Sequence, residues 1–247
     1  MGNKQTTGRR KSQSDEPGTL QGNLVASDNK LGKEYNVSGD LGTGKDFKMK
    51  KAQLKKYCKT EQHITGGVAI KLFDGQSLVK SHDFKTEAAI LSKCDHPNIV
   101  KLFEITKINN KMSLVLELCD GGKILDRLPY TEPQVRKIVK QVCSAVSYLH
   151  GKNIVHRDIE CSNIMFSTSS EDSEVKLVDF GSACELETVP NHPGAFKFLK
   201  EKTGSLSVMA PEVIRGKYGP KADVWSIGIV AYTLLNNGEG PFKGTTK

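Results

Sequence analysis

The six cysteines (Cys58, Cys94, Cys119, Cys143, Cys161 and Cys184) include no C-x-x-C pair. That spacing gives neither a zinc ribbon nor a disulfide framework and fits a reducing cytosol. No apolar run approaches the roughly 20 residues needed to cross a bilayer, and no secretory leader opens the chain. Charge of one sign is not concentrated either. The net +8 is moderate and spread along the 247 residues, so nucleic acid is not an expected partner. What is present is a 37% hydrophobic content, enough for a real core in one large domain or two small lobes.

The first residues carry a separate signal. Met1-Gly2-Asn3-Lys4-Gln5-Thr6 matches the pattern for N-myristoylation at Gly2. Lys4, Arg9, Arg10 and Lys11 follow, with no acidic residue before Asp15. One acyl chain binds membranes marginally, and a basic cluster is the second signal that holds it to anionic lipid. The expectation is a cytoplasmic protein with a disordered basic leader over residues 1–34, associated with an anionic membrane through N-terminal acylation.

Beyond the leader, the apolar pattern changes partway. Val68-Ala69-Ile70 and Leu114-Val115-Leu116 read as strands, and between them Phe84, Glu87, Ile90 and Leu91 share one helical face. From Tyr130 the helical period dominates. Thr131 with Gln134 reads as a capping box, Val135 to Leu149 recur at helical spacing, and Gly151 reads as the stop. Val224 to Ala231 is apolar on nearly all sides, which predicts a helix buried mid-domain. Strand-rich then helix-rich is an α+β arrangement, and its seam is a natural ligand cleft.

Four short motifs occur in order: Val68-Ala69-Ile70-Lys71; His156-Arg157-Asp158 with Asn163; Asp179-Phe180-Gly181; and Ala210-Pro211-Glu212. Each alone is weak. In sequence and at this spacing they resemble the signature set of protein kinases. The resemblance covers the chain from about Tyr35 onward. It implies a bilobal fold, with an N-lobe over residues 35–118 and a C-lobe over 119–247, and transfer of the γ-phosphoryl of ATP to a Ser or Thr hydroxyl of a protein substrate. It further implies catalytic roles for Asp158 as base and for Lys71 and Glu87 as phosphate clamp. Gly42, Gly44, Ala69, Lys71, Glu117, Asn163 and Asp179 would contact the nucleotide. Asn163 and Asp179 would also ligate Mg²⁺. Asp223 is similar to the family's aspartate that bonds the catalytic-loop backbone. Leu91, Leu102, His156 and Phe180 match its hydrophobic column.

Finer resemblance, carried by Leu116 to Gly122, Asn153 to Asp158 and Ala210 to Ser226, is to calcium-dependent and calmodulin-dependent kinases. The sequence holds no D-x-[DN]-x-[DN]-G calcium loop, so these residues give no ground for claiming calcium control.

The pattern also breaks. Phe47 stands at the third glycine of the Gly-rich loop, which predicts weaker ATP binding, and Met49 replaces the Val that packs on adenine. Gly39 to Lys45 mimics a Walker A loop, but Asp46 replaces the required Ser or Thr. Glu160 replaces the Lys two residues past Asp158, reversing the charge beside the transferred group. Lys123 and Ser162 stand where basophilic kinases place acids. Ser205 aligns with the Ser/Thr that contacts the catalytic Asp. Arg157 before Asp158 would suit a phosphate on a modified activation-segment hydroxyl such as Thr203, but plain solvation of those hydroxyls is the favoured reading. The chain stops at Lys247, where the resemblance implies further helices and an Arg partner for Glu212, so the C-lobe reads as truncated. Two readings stay open: an active kinase, and a pseudokinase that serves as a nucleotide-binding or protein-interaction scaffold.

Overall fold

A computed structural model describes residues 34–44, 47–55, 67–73, 78–108, 111–192 and 194–242, without the side chains of 78–83. The acylation pattern, the basic leader up to residue 33, Lys45 and Asp46 lie outside the described residues.

The N-terminal part is one antiparallel sheet. Its strands are β1 (Tyr35–Thr43), β2 (Phe47–Leu54), β3 (Val68–Phe73), β4 (Leu102–Ile108) and β5 (Lys111–Glu117), in the order β1-β2-β3-β5-β4. Every residue of β3 is buried, because it lies centrally and both faces are covered. Side chains alternate across a strand, and the alternation decides where the chemistry goes. Val68, Ile70 and Leu72 join Tyr35, Ile108 and Val115 in a cluster on one face. Ala69 and Phe73 join the main core on the other. Lys71 shares that second face.

Helix α1 (Leu78–Leu91) covers it. Phe84, Glu87, Ala88 and Leu91 stand at i, i+3, i+4 and i+7, a single stripe, and all four are buried. Phe84 meets Phe73 edge to face, with ring centroids 5.2 Å apart. A carboxylate placed inside an apolar stripe is thus driven toward the one cation on the facing strand.

The C-terminal part is built on α2 (Glu132–Gly151). Its capping box forms, with the Thr131 N–H donating to Gln134 Oε1 at 2.8 Å. Val135, Ile138, Val142, Ala145, Val146 and Leu149 are buried as their spacing predicts. The helix ends on Gly151, but the left-handed turn beyond it is taken by Asn153 at φ 59°, a conformation Asn tolerates. Short strands β6 (Ile154–Val155) and β9 (Cys184–Glu185) pair with each other. So do β7 (Ile164–Phe166) and β8 (Val175–Leu177). Helices α3 (Pro211–Ile214) and α4 (Lys221–Leu235) follow. This is the α+β, bilobal arrangement expected.

Gly39 to Thr43 lies inside β1, so the Walker-like run, already set aside for Asp46, does not lead from a strand into a helix N-terminus. One expectation is corrected. Helix α4 is buried on one side only. Ala222, Asp223, Ser226, Ile227 and Val230 are covered, whereas Val224 (57%), Tyr232 (48%) and Leu235 (56%) are exposed. The helix packs against α2, and on its other face Trp225 stacks on Phe242 with ring centroids 6.0 Å apart.

Candidate active site

A cleft of about 320 Å³ opens between the sheet and the helical part. Gly42, Gly44, Ala69, Lys71, Glu87, Glu117, Asn163 and Asp179 line it, and all are residues singled out from the sequence. A larger cavity of about 600 Å³ lies against α2, but none of these groups reaches it.

At the cleft's inner end the Lys71 ammonium lies 2.9 and 2.8 Å from the two Glu87 carboxylate oxygens and 3.0 Å from Asp179 Oδ1. The pair with Glu87 is almost fully enclosed. Burial works against the ammonium, but Glu87 and Asp179 outweigh it. Lys71 is therefore held above its ordinary value and stays charged. Burial would likewise raise the Asp179 carboxyl. The Lys71 cation, its hydrogen bond and the Gly181 N–H at 3.2 Å reverse that, so Asp179 is held low and ionised. A buried ion pair is weak evidence for stability. The arrangement is better understood as a cation fixed in position.

Asp158 sits on the loop after β6. Its Oδ1 accepts the Ser205 N–H at 2.9 Å, and its Oδ2 accepts the Asn163 amide at 3.1 Å. The Ser205 contact was expected from its aligned position; it is made by the backbone. Asn163 also donates to the Asp158 carbonyl at 3.0 Å. With the amide nitrogen committed, its oxygen is the atom available to a cation. Asp223 anchors this loop from α4, accepting the N–H groups of His156 at 3.0 Å and Arg157 at 2.9 Å. His156 is fully enclosed and stacks edge to face on Phe180 with centroids 4.8 Å apart. Burial depresses the imidazole's pKa, which favours the neutral ring. Leu91 and Leu102 pack in the same core.

The Glu117 carboxylate turns to Lys176 at 2.8 Å and to the Lys101 N–H at 3.2 Å. Any contact it makes with a ligand therefore falls to its backbone.

A scan against family models matches the protein kinase domain over residues 35–247. The chain belongs to the protein kinase family. Among curated relatives of this kinase, "Calcium-dependent protein kinase 5" of Plasmodium berghei is 41% identical over 71% of the chain. "Calcium/calmodulin-dependent protein kinase type IV" of Mus musculus is 36% identical over 83%. "Calcium/calmodulin-dependent protein kinase type 1" of Macrobrachium nipponense is 32% identical over 95%. The kinase is thus of the Ser/Thr type, similar to the calcium- and calmodulin-dependent members. It spans 31%, 41% and 64% of those relatives' lengths.

Three features of the kinase site were not anticipated. The first is Phe47. Expected only as a missing glycine, it places its ring in the cleft, with Lys71 Nζ 4.2 Å from the ring centroid. The second is Glu201, which occupies Arg157 at 3.2 Å while Ser182 O accepts the guanidinium Nε–H at 2.6 Å. The Thr203 hydroxyl instead donates to Ser182 Oγ at 3.4 Å. The third is Gly204, at φ +91°, where a Cβ would meet the Arg157 carbonyl at 2.2 Å. Only glycine lets the activation segment approach closely enough for Ser205 to reach Asp158.

Proposed function

We propose that this kinase domain transfers the γ-phosphoryl of ATP to a Ser or Thr hydroxyl of a protein. The observation that carries this reading is the convergence of Lys71, Asp179 and Asn163 on one cleft, with Asp158 held at its edge by Asn163 and Ser205. Lys71, clamped by Glu87, supplies fixed positive charge to the non-transferred phosphates. Asp179 and Asn163 offer a carboxylate oxygen and an amide oxygen on the same wall, a donor set that suits Mg²⁺ alongside phosphate oxygens. When bound, that ion neutralises phosphate charge. Asp158, oriented by Ser205 and Asn163, aligns the acceptor hydroxyl and takes its proton as the oxygen bonds to phosphorus and ADP leaves. The test is transfer of label from γ-labelled ATP to Ser- or Thr-containing peptides, with and without Mg²⁺. No Mg²⁺-dependent transfer to any of them would sink the reading.

Phe47 tempers it. Its ring lies over the cation that phosphates must reach, so ATP has to displace a cation–π contact. Such contacts are worth about 1–2 kcal/mol when desolvated, which is up to roughly thirtyfold in affinity. Phe47→Gly is therefore expected to tighten ATP binding by up to about thirtyfold, read as Kd by titration calorimetry. Unchanged or weaker binding would show that the ring does not compete. Together with Glu160, this contact favours the scaffold as a second reading, in which nucleotide binds but is not turned over.

The N-terminal sequence supports one more proposal, that Gly2 is acylated and, with Lys4, Arg9, Arg10 and Lys11, tethers the kinase to anionic membrane. Gly2→Ala should move the protein from the membrane pellet to the supernatant. Unaltered partitioning would end the idea.

A further inference from the structure

The segment that leads to Ser205 beside Asp158, and the segment bridged to it, carry exposed cations that form no ion pair among the described residues. Leu199 and Tyr218 form an antiparallel bridge, with N–H to carbonyl distances of 2.9 and 3.1 Å. Lys200 and Lys217 stand next to that bridge on its two segments, and Lys202 and Arg215 lie two residues further along each. All four are exposed, and among the described residues none of them forms an ion pair. Lys217 only lies 4.8 Å from the Phe198 ring centroid. Nearby carboxylates are otherwise committed or recessed. Glu201 holds Arg157, Glu187 holds Lys197 at 2.5 Å, and Glu212 is half-buried.

Like charges brought close by a backbone bridge repel one another. The carboxylate among them, Glu201, is turned to Arg157 at 3.2 Å. A ligand of opposite sign removes the penalty. The strip's place indicates the ligand. The segment carrying Lys200 and Lys202 continues through Gly204 to Ser205, whose N–H is 2.9 Å from Asp158 Oδ1. An acceptor hydroxyl delivered to Asp158 brings its flanking residues along this strip. On the cleft's other wall the lining includes Lys123 and Ser162, again without an acid to greet a basic peptide. Glu160 is the exception, and its carboxylate accepts the Ser162 hydroxyl.

We propose that Lys200, Lys202, Arg215 and Lys217 form a docking strip for substrates with acidic residues on the flank of the acceptor that lies along Leu199–Ser205. The inference rests on the kinase reading for the identity of the peptide as a substrate. The charge preference itself is a binding property and is testable without turnover. Complementary charge of this kind acts on encounter and register and weakens with salt.

The experiment uses the full chain and fluorescent 13-residue peptides with a central Ser in an alanine background. Three Glu or three Lys are placed either before or after the Ser, and binding is read by anisotropy at low and at physiological salt. Phosphorylation of the same peptides is read separately. The expected result is about tenfold tighter binding for three Glu on one flank than for three Lys there. The preference should shrink with salt. Lys200→Glu/Lys217→Glu should invert it, and Arg215→Glu alone should weaken it. Circular dichroism should show all variants folded, because the substituted side chains are exposed. A wild-type preference for Lys peptides, or a Glu preference that survives in the double variant, overturns the proposal. So does charge-dependent binding to phosphatidylserine vesicles with no discrimination among peptides. Glu-selective binding without phosphoryl transfer leaves the strip standing and removes the kinase reading instead.

Discussion

Asp158→Asn is expected to cut phosphoryl transfer by ~10²–10⁴, the usual worth of a positioned general base, while leaving the Kd for ATP within about twofold. The split follows from geometry. Asp158 is not among the residues lining the nucleotide cleft. Its carboxylate is held at the cleft's edge by Ser205 and Asn163. Asparagine keeps an oxygen for the Ser205 N–H and nearly the same volume. It loses the charge and the ability to take a proton from the acceptor hydroxyl. Single-turnover transfer from γ-labelled ATP measures the chemical step directly, and titration of ATP measures binding. An unchanged transfer rate would mean that another group takes the proton, and the assigned mechanism would be wrong. A large loss in ATP affinity would mean that the substitution had disturbed the Asn163 side of the loop, because an amide NH₂ facing the Asn163 NH₂ replaces an acceptor with a donor.

Much of this site is legible in the sequence because it is built from short-range periodicity. Period two along Val68 to Phe73 puts Lys71 on the face of Ala69 and Phe73. Period 3.6 from Phe84 to Leu91 puts Glu87 on the face that meets it. The clamp follows from those two patterns and the one layer of packing between them. What the sequence leaves hidden is the contact that joins distant segments. Arg157 and Glu201 are separated by a long activation segment, and nothing local says that the guanidinium will be met by a carboxylate. Gly204 looks like an ordinary loop glycine until the Arg157 carbonyl is placed against it. Phe47 is visible as an absent glycine, but the direction of its ring depends on Gly44, which leaves room for it. Helix α4 failed in the opposite way. Hydropathy reports how apolar a helix is on each side. It does not report what stands opposite, so Val224 reads as core and is found exposed.

Glu160 is the position where a single substitution should raise activity rather than remove it. Ile159 is fully buried between Asp158 and Glu160, both half-exposed. Glu160 itself has extended backbone angles, φ −143° and ψ 166°. Alternate side chains of an extended segment point the same way, and with Ile159 buried between them this sets both carboxylates on one side, which on the proposed kinase reading is the side of the transferred group. Glu160 is steadied there by the hydroxyl of Ser162. Negative charge is concentrated on that group in the transition state, and a fixed carboxylate beside it opposes the reaction. One well-placed electrostatic stabiliser is worth ~10²–10³ in rate, so Glu160→Lys is expected to raise kcat by at least ~10²-fold. ATP affinity should rise less, because the charge acts most strongly on the group in flight. Ser162→Ala is the companion variant. It frees the Glu160 side chain without altering its charge and should leave the rate far closer to wild type than Glu160→Lys does. If wild type binds ATP but is silent, and Glu160→Lys transfers phosphate, the native chain is the scaffold of the second reading and its cleft is competent but for one charge. If Glu160→Lys changes nothing in an active enzyme, the carboxylate does not face the transferred group, and the sign of the charge at this position is irrelevant to the chemistry.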